Sequence, residues 1–203
     1  ATGSEIVARS YLKLLSNGVH IATPSKRANT FEQSYFDQLI SFPKSGSAQY
    51  KFETTVGAGL PVIKTVQQLL NSGDEITEIS GVVSGTMTYI FNQLQTGKSF
   101  SDIITNAKAL GYSEPDPRDD LSGEDVARKF LILARTCGLK LERNQLSVES
   151  LIPKKHADLP LQEFLEELPS TDAHWKNNNT KALVNNKRLR YVGTFNKNGI
   201  EIG

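Results

Sequence analysis

Cysteine is nearly absent: the 203 residues contain one, Cys137. A lone thiol excludes an intrachain disulfide framework and any paired-cysteine metal site, and it fits a reducing compartment, the cytoplasm. Net charge is missing too, since 23 Lys and Arg stand against 22 Asp and Glu, a formal +1. That balance supplies no global field for nucleic acid or an anionic membrane. No apolar run approaches the roughly 20 residues of a membrane span, and no signal peptide opens the chain. The three histidines, His20, His156 and His174, lack metal-ligand spacing. His20 reads as a strand residue and the other two as surface. No G-x-S-x-G, P-loop or H-E-x-x-H is present. One tryptophan, Trp175, without a basic platform makes no single-strand surface. At 38% hydrophobic and 22% charged residues the chain is ordinary globular protein, one large domain or one plus a fragment.

What is there is densely organised. Glu5 to Ser16 reads as a helix closed by Asn17-Gly18, and Val19 to Ala22 as a strand. This helix-then-strand opening belongs to a parallel α/β sheet. Pro61 to Asn71 is expected to be a helix with Val62, Ile63, Val66, Leu69 and Leu70 on one face. Glu75 to Val83 reads as a strand, and Ser84-Gly85-Thr86 opens a further helix. Ser99 and Asp102 form an S-x-x-D cap for a helix ending at Gly111. Asp125 to Cys137 is the clearest helix, stopped by Gly138, with Cys137 on its apolar side as a small core residue. Further helices are expected at Leu161 to Glu167 and after Asn177 to Asn179. Leu189 to Phe195 alternates like a strand, and Asn196-Lys197-Asn198-Gly199 signals a hairpin. Its second arm stops at Ile200 to Gly203, so the chain reads as a fragment.

Three segments can carry chemistry. Gly111 to Lys129 holds Glu114, Asp116, Asp119, Asp120, Glu124 and Asp125 against Arg118, Arg128 and Lys129. Pro115 and Pro117 stiffen this loop. Asp125 and Lys129 are four residues apart and share a helix face. A partly desolvated lysine among carboxylates can move a proton, and the carboxylates can hold an ammonium group. The same residues also read as a Ser122-x-x-Asp125 capping box and an ordinary surface ion pair. Glu53 to Pro61, ETTVGAGLP, is the second segment. If extended, it turns the alternate carbonyls of Val56, Ala58 and Leu60 to one side, where with Glu53 they suit a cation. It also reads as a glycine-rich turn into a helix, and it lacks the third glycine of a dinucleotide fingerprint. The third is ATPSKRAN, Ala22 to Asn29, at the carboxyl end of a parallel strand, where ligands of open α/β sheets sit and Lys26 reaches outward. Alone, Lys26 reads as a solvated loop lysine.

TPSKRAN, ETTVGAGLPVI, SGVVSGTMTYIF, GYSEPDPRDDLSGEDVARK and LRYVG occur in the order found in homoserine dehydrogenases, and the resemblance covers nearly the whole chain. The RYVG stretch looks most like the dehydrogenase half of bifunctional aspartokinase–homoserine dehydrogenases, and the monofunctional enzymes also fit. The resemblance implies NADPH- or NADH-dependent reduction of aspartate semialdehyde to homoserine, toward threonine, methionine and isoleucine. It implies that Glu114, Asp120, Asp125, Lys129, Gly85 and Thr86 line the substrate pocket, with Asp125 and Glu114 on the ammonium group or its water. Lys129 and Lys26 are implied at the reacting oxygen, one of them as proton donor beside Asp125. Thr23, Pro24, Ser25, Lys26 and Ser84 would meet the cofactor, NADP or NAD. Glu53, Val56, Ala58 and Leu60 would hold a monovalent cation, Na+ or K+. The chain departs from the family by lacking the opening strand and its G-x-G-x-x-G loop, and Ser25 and Arg27 replace the common Asn and Lys.

The expected fold is α/β, a mixed sheet with helices on one face after the last helix-strand unit of a Rossmann-like nucleotide domain. Residues 1–50 would be the remnant of that NAD(P)-binding domain and residues 51–203 the catalytic and dimerisation domain, truncated at its end. Expected partners are the small-molecule substrate and a second copy in a homodimer or higher homo-oligomer, without nucleic acid or membrane. The isolated 203 residues are expected to bind dinucleotide poorly and turn over little. The alternative is a non-catalytic oligomerisation or regulatory module of the same fold.

Overall fold

The computed structural model describes residues 3–45 and 48–203. In chain order the elements are α1 (Glu5–Arg9), α2 (Tyr11–Ser16), β1 (Ile21–Ala22), α3 (Gln33–Ser45), β2 (Tyr50–Lys51), α4 (Val62–Asn71), β3 (Glu78–Gly81) and α5 (Gly85–Leu94). They continue as α6 (Phe100–Ala109), α7 (Pro117–Leu121), α8 (Glu124–Thr136), β4 (Ser147–Val148), α9 (Leu161–Glu167), α10 (Asp172–Val184), β5 (Gly193–Asn196) and β6 (Gly199–Ile202). β1 pairs in parallel with β2, and a four-stranded sheet runs β3-β5-β6-β4. The β5–β6 hairpin turns through Lys197-Asn198, where the Asn198 amide donates to the Asn196 side chain. The mixed α/β class expected from the sequence is what the chain adopts.

The described residues divide into two compact units. The first takes the described residues up to 79 together with 127–147 and 194–200, and the second takes 80–126, 148–193 and 201–203. In the first unit Ala8, Leu15, Phe36, Leu39, Phe130 and Leu131 are buried, and Phe52 packs edge-on against Phe36. In the second, Met87, Ile90, Phe100, Ile103 and Phe164 form the core, with Trp175 stacked on Phe100 at 4.9 Å between ring centroids. Trp175 is thus a packing residue, with one ring face occupied.

Local chemistry accounts for where the elements differ from expectation. The first helix breaks in two at Ser10, whose hydroxyl donates to the Val7 carbonyl and competes with the helical pattern. The strands expected at 19–22, 75–83 and 189–195 shorten or shift to Ile21–Ala22, Glu78–Gly81 and Gly193–Asn196. α3 is a helix beyond those expected, and the buried Phe36 and Leu39 anchor it. α10 runs through the Asn177–Asn179 stretch rather than starting after it. His156 is not a surface residue. It is 2% exposed, neither ring nitrogen has a hydrogen-bond partner among the described residues, and Nε2 lies 3.8 Å from the Glu167 carboxylate. Among the described residues no helix is long and apolar enough to cross a membrane.

Candidate functional site

In the second unit the acidic segment is a shaped loop followed by a short helix. Gly111, at φ +71°, stops α6, and the Tyr112 amide donates back to Ala107. The Thr86 hydroxyl, in the first turn of α5, donates to the Tyr112 carbonyl at 2.7 Å. Ser84 caps α5, its hydroxyl accepting from the Met87 amide, and Gly85 is exposed beside it. The loop expected around Pro115 and Pro117 contains a short helix instead, with Asp116 capping α7 and Pro117 opening it. Asp116 also holds Arg118 in an ion pair of 2.6 Å, and Arg118 donates to the carbonyls of Ala157 and Leu159. The Arg118 guanidinium keeps the Asp116 carboxyl below its ordinary range. Asp120 accepts from the Glu114 amide at 2.8 Å. Two of the acids therefore shape the loop, while the Glu114 side chain is exposed.

Gly123, at φ +75°, separates α7 from α8, so Ser122 ends one helix, and its hydroxyl accepts from the Glu124 amide. Asp125 and Lys129 lie one turn apart on α8 and both are half-buried. By the unit division Asp125 falls with Glu114 and Asp120, and Lys129 with Lys26.

In the first unit, Thr23 continues the parallel ladder, its amide donating to the Lys51 carbonyl. Its buried hydroxyl bonds Tyr11 and accepts from the Ser25 amide, so this side chain shapes the Thr23-Pro24-Ser25 turn. Lys26 follows, half-buried, its carbonyl accepting from the Asn29 amide. Arg135, which belongs to no motif in the sequence, has its side chain fully buried in this unit; burial lowers the guanidinium's pKa and Glu142 opposes that. The available signal was a charge four residues beyond the buried Leu131 on an apolar helix face.

The ETTVGAGLP segment is not extended. Glu53–Thr55 is a 3-10 turn, Gly57 lies at φ +76° and Ala58 at φ +51°, and the Leu60 amide closes a turn on the Gly57 carbonyl. A Cβ on Gly57 would stand 2.6 Å from Val62, so the tight approach requires glycine. Strand alternation therefore does not align the carbonyls of Val56, Ala58 and Leu60, because two left-handed residues interrupt it. One carboxylate oxygen of Glu53 accepts from the Lys64 amide, while the other is buried without a partner among the described residues. Glu53 also lines a cavity of about 460 Å³ with Tyr50, Lys51, Lys64 and Gln67. No described cluster of three His, Cys, Asp or Glu could hold a metal ion, so a cation here would rest on backbone carbonyls and one carboxylate. Cys137 is half-buried and its thiol is pushed up by burial, which suits a packing residue over a nucleophile.

Two family models match: "Homoserine dehydrogenase, NAD binding domain" over residues 1–53 and "Homoserine dehydrogenase" over residues 61–202. A chloroplastic bifunctional aspartokinase/homoserine dehydrogenase of Zea mays is 43% identical over 96% of this chain and 21% of its own length. The homoserine dehydrogenase of Schizosaccharomyces pombe is 44% identical over 95% of this chain and 53% of its own. A Candida auris protein solved as one of unknown function is 38% identical, with a TM-score of 0.94 over 100% of this chain and 59% of that one. The chain thus spans about half of the fission-yeast relative and about a fifth of the maize one.

Proposed function

Because the chain belongs to the homoserine dehydrogenase family, we propose that it carries the substrate domain for NAD(P)H-dependent reduction of L-aspartate 4-semialdehyde to L-homoserine, in threonine, methionine and isoleucine biosynthesis. Residues 1–50 serve as the end of the nucleotide domain and 51–203 as the catalytic and dimerisation domain. The two family matches, on either side of residues 54–60, support this division.

The observation that carries the reading is the Glu114–Asp120 bond. With Asp120 fixing the Glu114 backbone at 2.8 Å, the exposed Glu114 carboxylate is presented to an ammonium group without having to order its own loop. Asp125, one turn before Lys129, assists there directly or through water. Thr86 and Gly85 bound the pocket, the Thr86–Tyr112 bond keeping that turn against the acidic loop. NAD(P)H, when bound, supplies the hydride. Thr23, Pro24, Ser25, Lys26 and Ser84 would hold it; the Thr23 hydroxyl, spent on Tyr11 and Ser25, contributes the shape of the turn. Lys129 and Lys26 hydrogen-bond the aldehyde oxygen, one giving it a proton, and their charge stabilises the developing alkoxide. Glu53 with the carbonyls of Val56, Ala58 and Leu60 would hold Na+ or K+, and the unpartnered Glu53 oxygen supports that role. A cytoplasmic homodimer or higher homo-oligomer completes the reading on family resemblance, and light scattering would test it.

The deciding experiment is NADPH oxidation by the full-length protein with aspartate semialdehyde. Turnover whose kcat/KM falls on Glu114→Gln supports the reading. Nucleotide binding with no turnover favours a non-catalytic module.

A further inference from the structure

Arg135 heads the fully buried side chains by volume, an unusual residue to hold that place. Its Nη1 donates to the carbonyls of Asn29 at 2.9 Å and Phe31 at 2.7 Å. Its Nε and Nη2 donate to the Leu141 carbonyl at 3.0 and 2.7 Å, and Nη2 reaches the Glu142 carboxylate at 3.2 Å. The guanidinium lies 5.6 Å from the Phe36 ring centroid. Four of these five bonds go to neutral carbonyls, and the one carboxylate is half exposed. Such a site does not select for an ion pair, and an apolar residue would fill the volume without desolvating a cation. It selects for the planar fork that ties several backbone oxygens at once.

Those oxygens are informative. Lys26 opens a turn in which its carbonyl accepts from the Asn29 amide and the Thr30 hydroxyl, both at 3.1 Å, and the chain leaves that turn through Phe31. Arg135 grips the turn at Asn29 and Phe31, and sits on α8 six residues beyond Lys129. The Tyr50 hydroxyl, from β2, holds the Asn29 side chain at 2.7 Å in a buried bond. All of these residues belong to one compact unit. We infer that Arg135, aided by Tyr50, is a positioning residue that fixes the Lys26 turn to the helix carrying Lys129, so that the two lysines meet one substrate oxygen. This inference rests on the proposed function, because it gives Arg135 no chemistry of its own.

The test is a mutant cycle in the full-length enzyme, assayed by NADPH oxidation with aspartate semialdehyde. Arg135→Lys keeps a charge but loses the fork, and should lower kcat about 10- to 100-fold with KM changed less than about threefold, as expected for misplacement near 1 Å. Tyr50→Phe should act in the same direction and more weakly. In a Lys26→Ala background both substitutions should lose their effect, since the residue they position is gone. Hydrogen exchange at residues 26–31 should speed up in Arg135→Lys. Effects that multiply with Lys26→Ala, or an unchanged kcat beside a slow Lys26→Ala, overturn the inference and leave the proposed function standing. A Lys26→Ala enzyme with wild-type turnover overturns the role of Lys26 and this inference with it. Should Arg135→Lys fail to fold, Tyr50→Phe decides by the same criteria.

Discussion

The hydroxyl of Tyr191 lies 1.9 Å from the point where a Cβ on Gly123 would stand. Tyr191 is buried, and its hydroxyl donates to the Glu149 carbonyl at 2.6 Å. Gly123 itself sits at φ +75°, between the acidic helix α7 and α8. Gly123→Ala therefore meets both a left-handed backbone and a filled space, and should destabilise the protein by about 2 kcal/mol or more. At this size that lowers Tm by roughly 4 °C or more. Tyr191→Phe alone should cost about 1 kcal/mol for the lost hydrogen bond. Combined with Gly123→Ala it should cost less than the sum, because the clashing oxygen is gone. Calorimetry on the four proteins checks this, and a Gly123→Ala protein melting with the wild type contradicts it.

That relationship also shows what the sequence could and could not reveal. Helix ends were legible because single residues set them. Ser99 caps α6, and Gly138, at φ +91°, ends α8 with the Leu139 amide donating back to Ala134. Expectation failed where distant parts of the chain supply the stabilisation. α7 is five residues long and is held by the reach of Arg118 to Ala157 and Leu159, which no local period encodes. His156 reads as a surface residue, yet tertiary packing buries it. The LRYVG stretch alternates like a strand, but the fit of Tyr191 against Gly123 is a tertiary contact that no local period encodes. At the site, the residue types and the α8 spacing were readable, whereas the use of Asp116 and Asp120 as loop braces needed coordinates.

Asp116 gives an acid-side prediction. The Arg118 guanidinium lowers the native pKa of its carboxyl, so in that range the unfolded chain binds more protons and stability rises with pH. The contribution is complete above the unfolded carboxylate value of about 3.9 and is lost as pH falls through the lower native value. Asp116→Asn should melt below the wild type at pH 6, with the gap closing below about pH 4. Melting curves from pH 6 to 2.5 measure it. A gap that stays constant across the range means that the ionised carboxylate is not what holds α7.

The unpartnered Glu53 oxygen predicts a cation effect independent of catalysis. Adding Na+ or K+ against choline at equal ionic strength should raise Tm by about 3–5 °C when the cation reaches ten times its Kd, since only the folded loop offers the site. Equal ionic strength removes general screening from the comparison. Glu53→Gln should abolish the difference between the salts while the protein remains folded. Identical melting in both salts would assign Glu53 to bracing the Lys64 amide alone.

Lys129 and Glu114 should fail in different ways. Lys129 is half-buried on α8, and as a proton donor its charge matters most when the oxygen becomes an alkoxide. Lys129→Ala should therefore cut kcat by about 10²-fold or more with a smaller change in KM. Glu114 contacts a part of the substrate whose charge does not change in the reaction. Glu114→Gln should raise the KM for aspartate semialdehyde about tenfold and lower kcat less, the pattern of lost uniform binding. Steady-state kinetics in the full-length protein separates the two cases. If Lys129→Ala raises KM alone and leaves kcat near wild type, Lys129 is a binding residue and the proton must come from Lys26 or from water.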